Sequence, residues 1–374
     1  MSKTLKKRAI CLNLVKFLTK RKGYFTITDI INETNAPRST VQDWINRLIT
    51  EGYIELVEKS SGSRPAKFNY VMKTDYPTAC KNIFTCYDPA NNLVEIYHFC
   101  GSEGCTIYCA YAHKQTGGVI LETRHEGFFL REIAKIGSSP LEGLGSKSGV
   151  GIDEIAIEGD EIMQSIKATG GPAYSLTETM GGALGVKHIT YSKKENYIEG
   201  KIYTDALEHV TIGIDDTDDL EEGATWATSL SLLNNLKLIN RIAHKIVFLN
   251  PTIQYKTLGN NASFIEFGVK SSNFNRVLNE IQDFLRYKTV SEQTSIAIMK
   301  GLIVPPKLKH FANKVRSKEI PISEAEQVAK ELDIELIEIT GERGKIGALA
   351  SIAFLREAPS CLINPDSKIQ FKSS

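Results

Sequence analysis

The clearest alternation of apolar and polar residues in the chain lies between residues 209 and 233. Val210, Ile212 and Ile214 alternate with polar or small residues, which is the two-residue period of a half-buried strand. From residue 225 to residue 233 the less polar positions return at the spacing of one helix face. The pattern therefore predicts a strand, an acidic loop (residues 215–223) and a helix.

Similar patterns continue the series on the C-terminal side and predict a β-α-β-β-α-β order, the ferredoxin-like pattern with both helices on one face of an antiparallel sheet. The predicted elements are strand 209–214, helix 223–240, strand 245–250, strand 261–269, helix 273–287 and strand 293–299. Beyond them we predict helices at 307–315 and 323–332, a strand at 334–340, and a helix from 341 to 355.

The first 75 residues have a different pattern. We predict helices at 5–20 and 28–33, a turn at 35–37, a third helix capped by Ser39, and strands at 53–58 and 66–71 joined by the basic loop 59–65. In this order of elements the segment resembles the winged helix-turn-helix family.

Residues 86–205 are the hardest to interpret. We predict a strand at 93–99, a helix at 128–136 and a hairpin at 188–203. Eleven of the 28 glycines fall between residues 137 and 185. Such glycines suit a close approach of the backbone to a ligand, and equally the turns of short-stranded β structure.

The predicted fold class is α+β, an N-terminal winged helix-turn-helix followed by ferredoxin-like α+β domains. The predicted boundaries are 1–75 for the winged helix-turn-helix, 76–206 for a Gly-rich α+β domain, 207–300 for a kinase-like ferredoxin-fold domain and 301–374 for a C-terminal α/β extension.

Composition narrows the class of protein. Hydrophobic residues at 42% and charged residues at 24% are typical of a globular protein. The sequence contains no apolar run of 18 residues, so we expect no membrane span, and its N-terminus lacks the pattern of a signal peptide. We expect a cytoplasmic protein. Its seven cysteines, an odd number, argue against a disulfide framework.

Charge is divided unevenly along the chain. Residues 1–75 carry 14 Lys and Arg against 7 Asp and Glu, a net charge of +7, and the remainder carries −6. A basic head on an acidic body predicts that the head binds DNA or RNA. The alternative is a protein-contact module.

In a winged helix the third helix enters the major groove and the wing meets phosphates. The predicted contacts are therefore Arg38, Ser39, Thr40, Gln42 and Arg47, with Lys59, Arg64 and Lys67 on the wing.

The acidic loop carries the strongest chemical signal. Asp215, Asp216, Asp218 and Asp219 fall within five residues, and like charges this close repel one another unless a cation or solvent intervenes. Mg²⁺ prefers one or two carboxylates together with waters and phosphates, and the N-terminus of the following helix favours a phosphate. The sequence predicts a magnesium–nucleotide site, with a solvated acidic turn as the alternative.

The motif GIDDTDD resembles the kinase-like domain of the archaeal enzyme that attaches agmatine to the anticodon cytidine of an isoleucine tRNA. The stretches 255–264 and 340–354 are similar to the ferredoxin-like part of that enzyme. Over residues 75–361 the chain also resembles methanogenesis marker protein 11. The resemblance implies that Asp215, Asp216 and Asp218 hold Mg²⁺ on ATP. An ungapped alignment places Thr225 on a threonine that the family phosphorylates, whereas an alignment of the glycines places Trp226 there.

Further polar positions are predicted to bind the nucleotide. Gly341 to Lys345 place two cations between glycines before a helix start, which suits phosphate oxygens. Such loops also cap ordinary surface helices. The predicted nucleotide-binding residues are Thr217, Gly223, Lys256, Thr257, Asn260, Asn261, Arg343, Gly344 and Lys345.

A second candidate site combines thiols with an imidazole. Cys100, Cys105, Cys109 and His113 are spaced C-x4-C-x3-C-x3-H, and in a helix the last three share one face. Thiolate and imidazole are good ligands for zinc or an iron–sulfur cluster. Buried cysteines also simply fill cores, and ligands one turn apart on a straight helix reach a single ion poorly. A Zn²⁺ site is predicted here as the weaker of the two metal sites.

These features together predict an ATP- and Mg²⁺-dependent phosphoryl-transfer or ligase-type enzyme with a nucleic-acid-binding head. The tRNA enzyme continues into an OB-fold and a zinc ribbon that are absent from these 374 residues, so we expect no agmatine transfer to that anticodon. The first alternative is a nucleotide-sensing transcriptional regulator, which predicts a homodimer on a palindromic site. The second is a maturation factor linked to methanogenesis.

Overall fold

A computed structural model describes most of the chain between residues 11 and 357. The described ranges are 11, 14–19, 21–50, 53–62, 64–70, 80–144, 149–170, 180–257 and 259–357. The chain forms two compact units, Met1–Pro77 and Thr78–Ser374, which are described separately below.

The first unit contains helices followed by a small hairpin. Residues 14–19 and 21–22 are helical, and the remainder of the predicted helix 5–20 lies largely outside the described residues. Two helices and two antiparallel strands follow: α1 Ile27–Thr34, α2 Arg38–Thr50, β1 Ile54–Glu58 and β2 Lys67–Tyr70. These bounds match the predicted elements to within one or two residues.

Local sequence explains where α1 and α2 begin. Thr26 accepts a hydrogen bond from the backbone N–H of Asp29, whose carboxylate accepts one from the Thr26 N–H in return, which is a capping box before α1. The prediction that Ser39 caps α2 is wrong. The carbonyl of Pro37 already accepts the N–H of Val41 at 3.0 Å, so the helix starts at Arg38 and Ser39 lies in its first turn.

The second unit is built on one sheet of 13 strands in the described residues. Strand β11 is its longest member with 18 residues, and it belongs to both halves of the sheet. Residues 198–205 of β11 pair with β9 and β10, and residues 208–215 pair with β13 and β14. The strands are β3 Cys80–Asp88, β4 Leu93–Cys100, β5 Ile120–Glu126, β6 Phe129–Lys135, β7 Gly137–Ser138, β8 Gly149–Glu158, β9 Glu161–Thr169, β10 Val186–Lys193, β11 Ile198–Asp215, β12 Ile239–Phe248, β13 Asn261–Val269, β14 Ser295–Lys300 and β15 Glu335–Glu338.

The half that contains the acidic loop has the predicted β-α-β-β-α-β order. Its strands lie in the order β12-β13-β11-β14-β15, each antiparallel to its neighbours. Helices α4 Thr225–Asn235 and α5 Phe274–Lys288 share a core with one face of this sheet. The other face is covered by α6 Pro306–Val315, α7 Ile322–Glu331 and α8 Lys345–Ile352, so the sheet is packed on both sides.

The other half contains helix α3 Glu103–Thr116, which packs on strands that include β5 and β8. The strand predicted at 93–99 and the hairpin predicted at 188–203 are confirmed. The helix predicted at 128–136 is wrong, because this segment is strand β6. Strand β6 is buried on both faces, and a run of buried residues carries no period that separates a strand from a buried helix.

The described residues contain no helix that is long and apolar enough to cross a membrane.

Candidate functional site

The acidic loop begins where β11 ends. Asp215 is the last residue of the strand, and Asp216 turns the chain with a positive φ of 57°, a region that Asp and Asn tolerate better than most residues. The hydroxyl of Thr294 donates to the carbonyl of Asp216 at 2.6 Å and so fixes this turn to the segment that leads into β14. The carboxylate of Asp219 accepts the N–H groups of Glu221 and Glu222, both at 2.8 Å.

Thr225 holds the middle of the loop in place. Its hydroxyl donates to Oδ1 of Asp218 at 2.7 Å and accepts the backbone N–H of Thr217 at 3.1 Å. The hydroxyl of Thr257 donates to Oδ2 of Asp218 at 3.1 Å. Gly223 has φ of 92°, and a Cβ there would lie 2.9 Å from the Cβ of Asp218, so only glycine fits. The Thr225 side chain is buried, and its hydroxyl both donates and accepts in these bonds. In this conformation its role is to hold the loop in shape.

Helix α8 closes over the end of β11. A Cβ at position 347 would lie 1.8 Å from Oδ2 of Asp215, and a Cβ at position 213 would lie 2.0 Å from the carbonyl of Ala348. Glycine at both positions is therefore what allows strand and helix to touch. The contact brings the first turn of α8 against the Asp215 carboxylate.

The acidic pair, Asp215 and Asp216, is under electrostatic strain. Burial raises the pKa of Asp215 well above its usual range, and the neighbouring charge of Asp216 raises it further. Burial also raises the pKa of Asp216, although the guanidinium of Arg343 acts in the opposite direction. A bound cation would relieve this strain, and two carboxylates are the donors that Mg²⁺ prefers.

Arg343 reaches the acidic pair from the loop before α8. Its Nε donates to Oδ2 of Asp216 at 3.2 Å, and its guanidinium lies 5.6 Å from the centre of the Tyr255 ring. The backbone N–H of Arg343 donates to Oε1 of Gln293 at 3.3 Å. The predicted stretch 255–264 and the segment 341–345 therefore both meet the acidic loop, through Thr257 and Arg343.

These groups line a pocket of about 410 Å³. One wall is polar and includes the acidic pair, Arg343 and Asn260. Another part of the lining is apolar, and the sequence analysis did not identify this apolar wall, because its residues come from separate segments with no shared motif. The apolar lining residues are Leu249, Ile253, Val315, Ile320, Pro321, Ile322 and Ile346.

Other predicted nucleotide-binding residues are placed less directly. Asp218 is held by the hydroxyls of Thr225 and Thr257 beside the pocket. In the described residues, the carboxylate oxygens of Asp215, Asp216 and Asp218 do not all lie within 4.8 Å of one another, so the three aspartates do not form one metal-binding group. Lys256 is exposed and does not line the pocket. Asn260 donates to the carbonyl of Asn250 at 2.6 Å, and Asn261 opens β13.

Lys345 does not face the pocket as predicted. Its ammonium pairs with Glu326 at 2.7 Å and with Glu338 at 2.6 Å. Burial acts to lower the pKa of Lys345, but its bonds to these carboxylates outweigh burial and raise it. Lys345 therefore forms structural ion pairs and does not line the pocket. Of the two cations in the segment 341–345, Arg343 is the one that lines it.

The predicted zinc residues do not surround a single ion. Cys105, Cys109 and His113 lie on α3 as predicted, but Nδ1 of His113 bonds to Glu132 at 2.8 Å. Within the described part of the chain, the one group of at least three His, Cys, Asp or Glu residues whose ligand atoms lie mutually within 4.8 Å is Glu95, His209 and Glu266.

That second group is organised by an arginine. Arg131 donates through Nε to Glu95 at 2.9 Å and through Nη1 to Glu266 at 3.0 Å, and His209 Nε2 lies 2.7 Å from Glu266. All four side chains are buried. Burial alone would raise the pKa of Glu95, but the charge of Arg131 outweighs it and lowers the pKa to about 2. The cation of this cluster is Arg131, which makes it a buried ion-pair network.

The head residues lie where the prediction put them. Helix α2 carries Arg38, Ser39, Thr40, Gln42 and Arg47, and of these Arg38, Ser39 and Arg47 are exposed. Lys59 and Arg64 are exposed between β1 and β2, and Arg64 exchanges two backbone hydrogen bonds with Ser61. Two of the cations have acidic partners, Arg47 with Asp43 at 3.0 Å and Lys67 with Glu58 at 2.8 Å.

Comparison with known proteins places this geometry in a family. "Uncharacterized protein MJ0921" of Methanocaldococcus jannaschii is 31% identical over 281 residues, which cover 73% of this chain and 92% of that protein. The chain belongs to the family of this archaeal protein. The family model described as the TiaS TCKD domain matches residues 211–274, from the end of β11 through β13.

The chain is also related to TiaS, the 2-agmatinylcytidine synthetase that acts on an isoleucine tRNA. The enzyme of Pyrococcus horikoshii is 32% identical over 149 residues, 38% of this chain and 35% of the enzyme. The crystal structure of TiaS in complex with its tRNA and ATP is 26% identical, with a TM-score of 0.36 over 39% of this chain and 36% of that one. The chain spans about a third of the length of these synthetases.

The matched segment contains the acidic loop, α4, β12 and β13 but not Arg343. The relationship to TiaS agrees with the resemblance drawn from GIDDTDD. The resemblance to methanogenesis marker protein 11 stays a prediction.

Proposed function

We propose that the chain is an ATP- and Mg²⁺-dependent enzyme of the tRNA-modification type, which transfers a phosphoryl group or uses ATP to activate its substrate. The observation that carries the proposal is that the acidic pair and Arg343 line one pocket and are hydrogen-bonded to each other. Phosphoryl-transfer sites combine carboxylates that hold a metal ion with cations that bind phosphate oxygens. The names of the TiaS relatives support a substrate in the tRNA class.

Each side chain has a proposed role. Asp215 and Asp216 would hold Mg²⁺, which when bound neutralises phosphate charge. Asp218, fixed by Thr225 and Thr257, would orient the loop. Arg343 would bind phosphate oxygens, because its fork of donors matches them. The apolar wall would exclude water and hold the non-phosphate part of the ligand.

The first unit is proposed to bind nucleic acid as a winged helix-turn-helix. The order of α1, α2, β1 and β2 supports this, as do the exposed cations of α2 and of the segment between the strands. RNA is the favoured partner because the relatives of the second unit are named for a tRNA. The boundary predicted at 206 falls inside β11, so residues 76–206 and 207–300 share one sheet, and the boundary at 300 stays a prediction.

ATP turnover tests the proposal. Purified protein with Mg²⁺ is assayed with and without RNA or DNA, and ADP, AMP, phosphate and pyrophosphate are resolved. We expect turnover by the wild type and a loss of about 100-fold in Asp216→Asn, in which asparagine keeps the positive φ. The matched control is Asp219→Asn in the same loop, whose exposed side chain accepts only backbone N–H groups.

The products also separate the two reaction types. AMP and pyrophosphate would indicate ligase-like activation, whereas ADP would indicate phosphoryl transfer. If the wild type binds ATP but forms no product with any nucleic acid, the enzyme proposal fails in favour of the nucleotide-sensing regulator.

A further inference from the structure

Helix α3 packs on a part of the sheet that is rich in cysteine and histidine. The side chains between α3 and the strands below it include four thiols, two imidazoles and one carboxylate. These are Cys80, Cys100, Cys105, Cys109, His98, His113 and Glu132. Thiolate and imidazole are the ligands that zinc and iron–sulfur centres prefer.

The four thiols come from two parts of the fold, a strand pair and a helix. Cys80 and Cys100 are register partners on the antiparallel strands β3 and β4. Cys105 lies in the first turn of α3 and Cys109 follows one turn later, so both can face the same direction. Ser102, which caps α3, donates its hydroxyl to the sulfur of Cys105 at 3.2 Å. Two ligands from a strand pair and two from a helix start can surround a centre, which three ligands on one helix cannot.

The four cysteines form a tetrad at the start of α3. Helix α3 begins three residues after Cys100, the last residue of β4, so its first turn lies next to the end of the β3–β4 pair. Further along α3, Ala112 packs in the same buried cluster as Cys80. The two thiols of the helix are therefore neighbours of the two thiols of the strand pair.

Glu132 adds a second, independent observation. Its carboxylate is fully buried, and its two oxygens lie 2.8 Å and 2.9 Å from Nδ1 of His113, within hydrogen-bond distance. Nε2 of His98 lies 3.6 Å from Glu132 and has no hydrogen-bond partner, although His98 is 2% exposed. A buried acid beside an unpartnered imidazole is costly. A carboxylate that orients a histidine is common in the shell around protein metal sites.

We propose that Cys80, Cys100, Cys105 and Cys109 form a four-thiolate site for a soft metal centre, either zinc or an iron–sulfur cluster. The site ties the start of α3 to the β3–β4 pair, with His98, His113 and Glu132 beside it. It replaces the predicted set, in which His113 stood in the place of Cys80. The proposal is independent of the ATP site.

The spacing of the sulfurs bears on the identity of the metal. Thiolates about 2.3 Å from one tetrahedral zinc lie less than about 4 Å apart. Among the described residues, no three of these sulfurs lie within 4.8 Å of one another. Zinc would draw them together by side-chain rotation, whereas a larger iron–sulfur cluster accepts a wider tetrad.

Metal analysis of the full chain tests the site. Protein purified without oxygen or chelators is assayed for zinc, iron and acid-labile sulfide. We expect either about one zinc per chain without sulfide, or iron together with sulfide, and the two results distinguish the two centres. In Cys100→Ser and Cys109→Ser the metal should fall by at least about tenfold. The matched control is Cys86→Ser, since Cys86 is as buried as Cys100 but lies near Glu95 and Glu266 instead.

X-ray absorption at the metal edge of the wild type keeps the test decisive if a variant fails to fold. About four sulfur neighbours support the proposal, and a shell dominated by nitrogen and oxygen overturns it. A metal-free wild type, or variants that keep the full metal content, would also overturn it.

Discussion

Oδ2 of Asp216 and Nε of Arg343 are joined by a hydrogen bond of 3.2 Å between residues 127 positions apart. The bond links the acidic loop to the loop before α8 and places a cation and a carboxylate in the same pocket. Since the guanidinium also lies over Tyr255, its position is set from two sides.

Replacing Arg343 should therefore weaken use of ATP. We expect kcat/KM for ATP to fall about 10- to 100-fold in Arg343→Ala, and lysine to restore little of it because an ammonium lacks the planar fork. Arg276→Ala is the matched control, since Arg276 is exposed and pairs within α5 with Glu280. Steady-state kinetics measure both. Full activity of Arg343→Lys would contradict the proposed fork contact.

A methyl group at position 347 should disturb the ATP pocket by displacing helix α8 from Asp215. In Gly347→Ala the new Cβ would lie 1.8 Å from Oδ2 of Asp215, so α8 must move away from β11. We expect a loss of about 1–3 kcal/mol in the free energy of unfolding and weaker ATP binding. In Gly104→Ala the nearest atom to the Cβ is 3.8 Å away, and helix α3 should keep or gain stability. Urea unfolding compares the two, and equal stabilities would refute the close contact.

The hydroxyl of Thr225 should stabilise the acidic loop. Thr225→Val removes the hydroxyl that joins Asp218 to Thr217 and leaves the buried N–H of Thr217 without its acceptor. We expect a cost of about 1–3 kcal/mol in stability, together with weaker Mg²⁺–ATP binding. Thr225→Ser keeps the hydroxyl and should retain most of both. Thermal unfolding and calorimetric titration give the two quantities, and a serine variant as impaired as the valine variant would argue against the hydrogen bonds.

The Arg131 network should make stability depend on pH in acid. The folded-state pKa of Glu95 is about 2, below its ordinary 4.5, so the stabilisation is present above pH 4.5 and is lost as the pH falls toward 2. We therefore expect the wild-type Tm to drop between about pH 5 and pH 2.

Removing the arginine should reverse that trend. In Arg131→Met two buried carboxylates lose their cation, which should cost about 3–5 kcal/mol near neutrality. Burial then raises their pKa, so protonation on acidification should recover stability and the Tm should rise where the wild type falls. Scanning calorimetry across this range measures it. Arg286→Met, which breaks an exposed pair with Asp283 and an exposed hydrogen bond to Gln282, should follow the wild-type profile.

The head should bind nucleic acid through its exposed cations. We expect Arg38→Ala or Arg64→Ala to weaken binding and to reduce the slope of log affinity against log salt by about one each. Lys22→Ala is the control, because Lys22 already pairs with Asp29 at 2.8 Å. Fluorescence anisotropy with an RNA hairpin and a DNA duplex measures the slope and the preference. Unchanged slopes would favour the protein-contact alternative.

Sequence patterns predicted the part of the fold in which apolar residues recur at the spacing of a strand or of a helix. The β-α-β-β-α-β order could be found because α5 keeps its apolar residues at helical spacing and the end of β11 alternates. Strand β6 was missed because its apolar residues, at positions 129, 130, 133 and 134, have the spacing of a helix face, with the buried Arg131 and Glu132 between them. The sequence also divided β11 into two strands, although it continues from the hairpin to Asp215.

The candidate site was predictable where a motif is local and unpredictable where it depends on packing. The acidic loop and Arg343 lie in recognisable stretches, but charge alone does not show that Arg343 enters the pocket while Lys345 turns to Glu326 and Glu338. Cys80 was overlooked because only its register with Cys100 brings it to α3.

The continuity of β11 affects how the protein acquires its site. The acidic loop is the tip of a strand whose first residues are paired with β9 and β10 and whose last residues are paired with β13 and β14. The pairings with β13 and β14 join segments distant in sequence and form late in folding, because they must first close long loops. The ATP pocket should therefore mature only when the sheet has been assembled from both halves, and a polypeptide begun at residue 207 would carry the motif with a strand cut in the middle.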